Sequence, residues 1–304
     1  MHYANICKYL NLKGEEDMKR VLYLGLLALL TFSVITGCSS ISMEEKQQDT
    51  PKQTQAEASV KKELSPMEVL MKSNEAMNKL KGLAYDIDAE NTLNTGDIKM
   101  NVKMNMSVKE KQEPFMMHGK GNVTVLGMEM PMEFYETEKY SYFKMGKEKW
   151  QKEPVDHSQV EKPDDSLKEI EAFMKAASDP KATKMTKNNG VYLLSLDLQK
   201  DQPLKGELLN IIEDDLKDLL EDEGTDQSGK TPDMKELENK MKLDKLKLKV
   251  EVDEKTFELK KLYLNYGIKV SEGKRNLKMG MKISMDIKGH FEGDIKLPAE
   301  LKNK

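Results

Sequence analysis

From Leu277 to Ile287 every second residue is apolar: Leu277, Met279, Met281, Ile283, Met285 and Ile287 alternate with Lys278, Gly280, Lys282, Ser284 and Asp286. Successive side chains of an extended strand point to opposite faces, so this period commits the segment to a sheet with one buried and one wetted face. The same pattern governs Ile98, Met100, Val102, Met104, Met106 and Val108, and again Leu246, Leu248, Val250 and Val252. Between Phe257 and Val270 the phase slips once, across Lys260-Lys261, and resumes at Leu262. One extra residue there returns the apolar set to its original side, which predicts a β-bulge.

Further strand-like stretches cover 83–93, 115–126, 128–137, 140–145, the vicinity of Trp150, and 191–198. Turn signals at Thr95-Gly96-Asp97, Glu113-Pro114, Gly127 and Gly146-Lys147 separate them, and such short connections favour antiparallel neighbours. Helical spacing follows Ser65-Pro66 (Met67, Leu70, Met71, Met77, Leu80), Asp164-Asp165-Ser166 (Leu167, Ile170, Phe173, Met174) and Pro203 (Leu204, Leu208, Ile211, Ile212, Leu216, Leu219, Leu220). A fourth, short helix is expected around 233–241. The order lacks a βαβ rhythm. The expected fold is therefore α+β: a strongly curved antiparallel sheet, an incomplete β-barrel, with three to four amphipathic helices covering its concave face.

The chain before this domain reads as an address. Met18-Lys19-Arg20 is a charged start, Val21 to Ile35 is apolar, and Thr36-Gly37-Cys38 supplies small residues and a cysteine. Fifteen apolar residues at 1.5 Å each fall short of a bilayer core of about 30 Å, so a signal segment is the better account than a membrane span. Residues 1–17 precede the charged start and are read as an incorrectly assigned leader, with Met18 as the true first residue. Residues 18–37 are then the signal peptide. Residues 38–63 are Cys38 and a polar, period-free tether, and 64–304 the folded domain. A tether of this length lets the domain float about 25–30 Å from its anchor.

Composition removes several classes of function. From Cys38 onward the net charge is about −5, and Arg275 is the one arginine, so neither a polycation for nucleic acid nor a set of guanidinium forks is present. Cys38 is also the one cysteine of that portion, which leaves no disulfide.

The string Thr36-Gly37-Cys38-Ser39 resembles the lipobox of bacterial lipoproteins. That resemblance implies a diacylglycerol on the Cys38 sulfur, removal of the preceding peptide, and a place on the extracytoplasmic face of the cell membrane. The opening Ser65-Pro66-Met67-Glu68-Val69-Leu70, the helix-first order and the repeat Met128-Glu129-Met130-Pro131-Met132-Glu133 resemble a family of uncharacterised Gram-positive lipoproteins. Over most of 64–298 the plan is similar to the LolA and LprG half-barrel, which implies a cavity between sheet and helices that carries or senses lipid.

Parts for catalysis are missing. His118, His157 and His290 are isolated, without a ligand spacing such as His-Glu-x-x-His, so no metal is expected. No Gly-x-Ser-x-Gly elbow occurs, Gly119-Lys120-Gly121 is too short for a phosphate loop, and Asp164-Asp165 and Asp214-Asp215 are paired only in sequence. No catalytic residue and no cofactor are assigned. The methionines are the feature with functional content: Met100, Met104, Met106, Met116, Met128, Met130, Met132, Met279, Met281 and Met285 fall in predicted strands. A concave sheet would gather them into a polarizable surface that repacks around an apolar ligand, or they simply fill the core. Copper(I) selection by thioethers ranks behind both. The aromatic residues Phe134, Tyr135, Tyr140, Tyr142, Phe143 and Trp150 form either a rim for a partner or cross-strand pairs that hold a hairpin. The expected protein is a non-enzymatic, membrane-anchored binder of a lipid or other apolar ligand. The alternative is an envelope interaction or assembly module with a filled core and a protein partner.

Overall fold

A computed structural model describes residues 63–94, 99–155, 183–203, 241–272 and 275–301. The first element is helix α1, Pro66–Met77. Its start follows from the sequence. The Ser65 hydroxyl accepts from the Glu68 backbone N–H at 3.2 Å, and Glu68 Oε2 accepts from the Ser65 backbone N–H at 2.6 Å. Pro66 occupies the first turn, where its missing N–H costs nothing.

Eleven strands follow among the described residues: β1 Gly82–Asn94, β2 Lys99–Lys111, β3 Met116–Val125, β4 Met128–Thr137, β5 Tyr140–Met145, β6 Gln151–Pro154, β7 Thr183–Asn188, β8 Val191–Pro203, β9 Met241–Asp253, β10 Leu259–Glu272 and β11 Arg275–His290. They form one sheet in the order β6-β5-β4-β3-β2-β1-β11-β10-β9-β8-β7, with every pairing antiparallel. Two meanders, β1–β6 and β7–β11, are joined because the first strand of one pairs with the last strand of the other: Ile87 stands opposite Met285 and Ala89 opposite Ile283. The predicted bulge is present, since Leu259 pairs with Val252 and Lys261 with Glu251, leaving Lys260 as the extra residue.

The expectation of three to four helices covering the sheet is corrected. Among the described residues α1 is the one α-helix, and the sheet dominates. The expected helices at 164–179 and 204–220 lie outside the described residues, as does nearly all of the one at 233–241. Its last residue, Met241, instead opens β9, because Met241 and Leu243 lie opposite Val270 and Ile268 and are buried with them. The physical reason is that the apolar face is lined strand to strand along the sheet, so most described core contacts are between strands. Helix α1 adds Val69, Leu70 and Met77 at one end, where Met77 Sδ accepts from the Leu259 backbone N–H at 3.3 Å. The proposed leader, signal peptide, Cys38 and tether up to residue 62 also lie outside the described residues.

Candidate functional site

The buried face of the sheet, its inner face, reads as registered rows of side chains. One row crosses ten strands: Met145, Met132, Gly121, Met106, Ile87, Met285, Leu262, Val250, Leu194 and Met185, from β5 through to β7. The next runs Val123, Met104, Ala89, Ile283, Leu264, Leu248 and Leu196. The two halves differ in chemistry. Strands β8 to β10 present mainly Leu and Val, with Ile268, Tyr266 and one methionine, Met241, whereas β2, β4, β5 and β11 carry most of the methionines of this face, beside Phe134, Phe143, Leu277, Ile283 and Ile287. Branched aliphatics fix one packing, while unbranched thioethers fill irregular space and rearrange at low cost.

The ten methionines singled out from sequence do not all meet. Met104, Met106, Met132, Met281 and Met285 are buried in the main core, and Met279 packs against it half-buried. Met100 and Met130 pack on a smaller cluster of Val102, Val123 and Val125, and Met145 touches both clusters. Met128 stands opposite Val125 on the same inner face. Met116 does not belong: it pairs with Lys111 and Thr137 on the outer face, and its neighbour Met117 takes the inner position. Adjacent strand residues cannot share a face.

Sequence reasoning passed over four features of this face. Gly119 and Gly121, dismissed as a weak phosphate loop, are places of close approach. A Cβ on Gly121 would lie 1.9 Å from the Asn105 carbonyl oxygen, and one on Gly119 2.1 Å from the Phe134 ring and 2.6 Å from Met106 Cε. Alternating glycine in a strand is the signal that was available. A third is Asn91, in a row between Val102 and Met281. Its Oδ1 is buried and accepts no hydrogen bond from the described residues, an acceptor set at the junction of the two apolar clusters. The fourth is a polar group near the helix end of the face. Glu110 is 1% exposed, accepts from Gln112 Nε2 at 2.7 Å, and accepts a hydrogen bond from the Tyr85 hydroxyl. Burial pushes the Tyr85 phenol well above its ordinary pKa, and the nearby Glu110 and Glu136 carboxylates add to the effect. Partners for these residues come from three strands, so no local motif announces them.

The histidines have structural partners. On the outer face His118 Nε2 lies 2.9 Å from Glu133 Oε1 and its ring stacks on Tyr135 at 4.2 Å; His290, which a bulge at the end of β11 sets opposite Leu83 rather than on the outer face, lies 3.1 Å from Glu258. His157, Asp164-Asp165 and Asp214-Asp215 fall outside the described residues. Among the described residues no three His, Cys, Asp or Glu side chains gather as metal ligands would. The aromatic group divides between faces. Phe134 and Phe143 pair across strands inside, while Tyr135 and Tyr142 pair outside, where Trp150, Ile295, Leu297 and Leu301 cover them. Burial and the adjacent Glu133 carboxylate raise the Tyr135 pKa.

The profile of a family of unknown function, DUF6612, matches residues 65–304. No curated protein matches the chain. Among solved structures, a β-barrel-like protein of domain of unknown function DUF1849 from Brucella abortus is 8% identical, covers 69% of this chain and 100% of its own, and has a TM-score of 0.21. A DUF1329 family protein from Desulfovibrio piger is 7% identical, covers 74% and 93%, and has a TM-score of 0.23. Likenesses this weak decide neither fold nor function.

Proposed function

We propose that this chain, which belongs to the family of unknown function DUF6612, is a non-enzymatic extracytoplasmic lipoprotein, anchored through Cys38, that takes an acyl chain or other apolar ligand against the methionine half of its inner face. On this reading it works as a carrier or sensor, in the manner of LolA- and LprG-like half-barrels. The observation that supports it is the segregation of methionine. A core that only needs filling is served by branched aliphatics, and the fully buried positions of β8 to β10 of the same sheet use them everywhere but at Met241. Met104, Met106, Met132, Met281 and Met285 can instead repack around an acyl chain, whose burial supplies affinity at about 0.8 kcal/mol per methylene. The unfilled acceptor Asn91 Oδ1 takes a hydrogen bond from a hydroxyl or amide of the ligand. Helix α1 is the element that moves, since its seat on the sheet consists of a few side chains including Val69, Leu70 and Met77.

A second reading, an envelope interaction module with a filled core, draws on the burial of those same five methionines. Native mass spectrometry of residues 64–304, expressed in a membrane-containing host, separates the two. All described elements and the family match fall within this span, so it carries its own fold. Retained lipid that leaves on denaturation, and that Met106→Glu or Met281→Glu abolishes in a folded variant, is the expected result. A clean apo mass with no uptake of added fatty acid or phospholipid would sink the ligand reading. Loss of membrane fractionation in Cys38→Ala is expected separately for the anchor.

A further inference from the structure

The outer face of the sheet is not evenly charged. At the end remote from α1, a row registers Lys242, Lys269, Lys278, Asn94 and Lys99 directly opposite one another across β9, β10, β11, β1 and β2. The next row is Lys245, Gly267, Gly280, Thr92 and Asn101, and the third Lys247, Asn265, Lys282, Glu90 and Lys103. Eight lysines thus share one end of a face about 19 Å wide, at four strand spacings of about 4.8 Å. Among the described residues, Asp244 pairs with Lys269, Asp197 with Lys247 at 3.0 Å, and Glu90 with Lys103 at 3.6 Å. Lys242, Lys245 and Lys278 make no ion pair among the described residues.

Like charges directly opposite in a ladder destabilise it. A face that only needs to be wet is served by alternating signs, as nearer the helix end, where Lys288 bridges Asp86 and Asp286 and Lys187 meets Glu254. From this contrast we infer that the lysine field is a docking surface for the head groups of an anionic phospholipid bilayer. The occupant follows from what the field contains. The three rows hold no outward apolar side chain to seat a protein hot spot, no aromatic ring to stack a base, and no arginine to grip one phosphate bidentately. Flexible point charges spread over a sheet face suit a diffuse plane of negative charge, where each lysine close to the surface adds about a fivefold factor in binding. The inference rests on the anchored reading above for its biological setting. A polar stretch of about twenty-five residues after Cys38 keeps the domain close enough for weak contacts to persist.

Residues 64–304, which lack the anchor, are to be sedimented with vesicles of equal parts phosphatidylglycerol and phosphatidylcholine, and with phosphatidylcholine alone. The expected result is salt-sensitive binding to the anionic vesicles only. It should fall by on the order of a hundredfold in the Lys242→Gln/Lys245→Gln/Lys278→Gln variant and persist in a Lys139→Gln/Lys147→Gln control, whose lysines lie in turns at the other side of the sheet. Absence of binding, binding that the triple variant retains, or equal binding to soluble polyglutamate would overturn the proposal. Because residues 64–304 do not include Cys38, their failure to bind is distinct from failure of the anchor, which shows as unchanged membrane fractionation of Cys38→Ala.

Discussion

Trp150 donates its indole N–H to Glu300 Oε1 at 2.6 Å, joining the short edge region of β5 and β6 to a carboxy-terminal strap 150 residues away. The strap leaves β11 where the Phe291 backbone N–H bonds to the Gly82 carbonyl at 3.0 Å, and Asp294 meets Lys111 at 3.2 Å. It then lays Ile295, Leu297 and Leu301 over Tyr135, Tyr142 and Trp150. Leu301 is 2% exposed. Its replacement, Leu301→Ala, is expected to cost about 2–3 kcal/mol. Glu300→Gln keeps an acceptor and should cost under about 1 kcal/mol. Urea midpoints of the two variants check the order, and a neutral Leu301→Ala would show that the strap contributes nothing to stability.

The glycines of β3 differ in what surrounds them. At Gly121 a new methyl meets backbone of β2, the Asn105 carbonyl and Met106 Cα, which cannot yield without separating the strands. At Gly119 it meets the ends of the Phe134 and Met106 side chains, and Met106 can change rotamer. Gly121→Ala should therefore lower stability by roughly 3 kcal/mol or more, at or beyond the usual overpacking range, and Gly119→Ala by about 1–2 kcal/mol. Equal thermal midpoints for the two variants would contradict this account.

Stability should fall at both ends of the pH range, from opposite causes. Tyr85 has its pKa raised by burial and by Glu110, so its contribution is full below the unfolded tyrosine value of about 10 and is lost as pH rises beyond it. Asp253 accepts from the backbone N–H groups of Lys255 at 2.9 Å and Thr256 at 3.0 Å, which hold its carboxyl below the ordinary range. Its contribution is full above the unfolded aspartate value of about 4 and is lost as pH falls through the folded one. Chemical denaturation at a series of pH values should show Tyr85→Phe flattening the alkaline limb and Asp253→Asn the acid limb, each leaving the other limb in place.

Neutralising a member of the lysine row should stabilise the domain. Lys278 stands between Lys269 and Asn94 and pairs with no carboxylate among the described residues, so Lys278→Gln removes repulsion without breaking an ion pair there. A gain of a few tenths of a kcal/mol, up to about 1, is expected at low salt and should shrink as salt screens the row. A loss of stability, read from melting in low salt, would mean that the lysine has a partner worth more than the repulsion.

Much of the sheet was legible because a period of two is local. Leu277 to Ile287 declares its buried side without reference to any other strand, and the slip at Lys260 announces its bulge by the same rule. The start of α1 was legible because Ser65 and Glu68 cap each other within one turn. Strand β7 was missed because an edge strand buries little: Thr183 and Met185 are its half-buried residues, too few to set a period. The strand pattern of β9 is read only from Leu246, with Met241 given to a helix, because the extra residue at Asp244 breaks the alternation between Leu243 and Leu246.

What the sequence by itself determined, then, is which residues lie on a common face of each strand, since that depends on backbone geometry alone. Which strands are neighbours was decided only by the tertiary structure. The pairing of β1 with β11 brings together residues nearly two hundred positions apart, and register across several strands assigns Met117 rather than Met116 to the inner face. It also sets Tyr85 against Glu110 and aligns Lys242, Lys269 and Lys278. Such long-range pairings are fixed by the joint burial of whole rows, a free energy that no single segment contains.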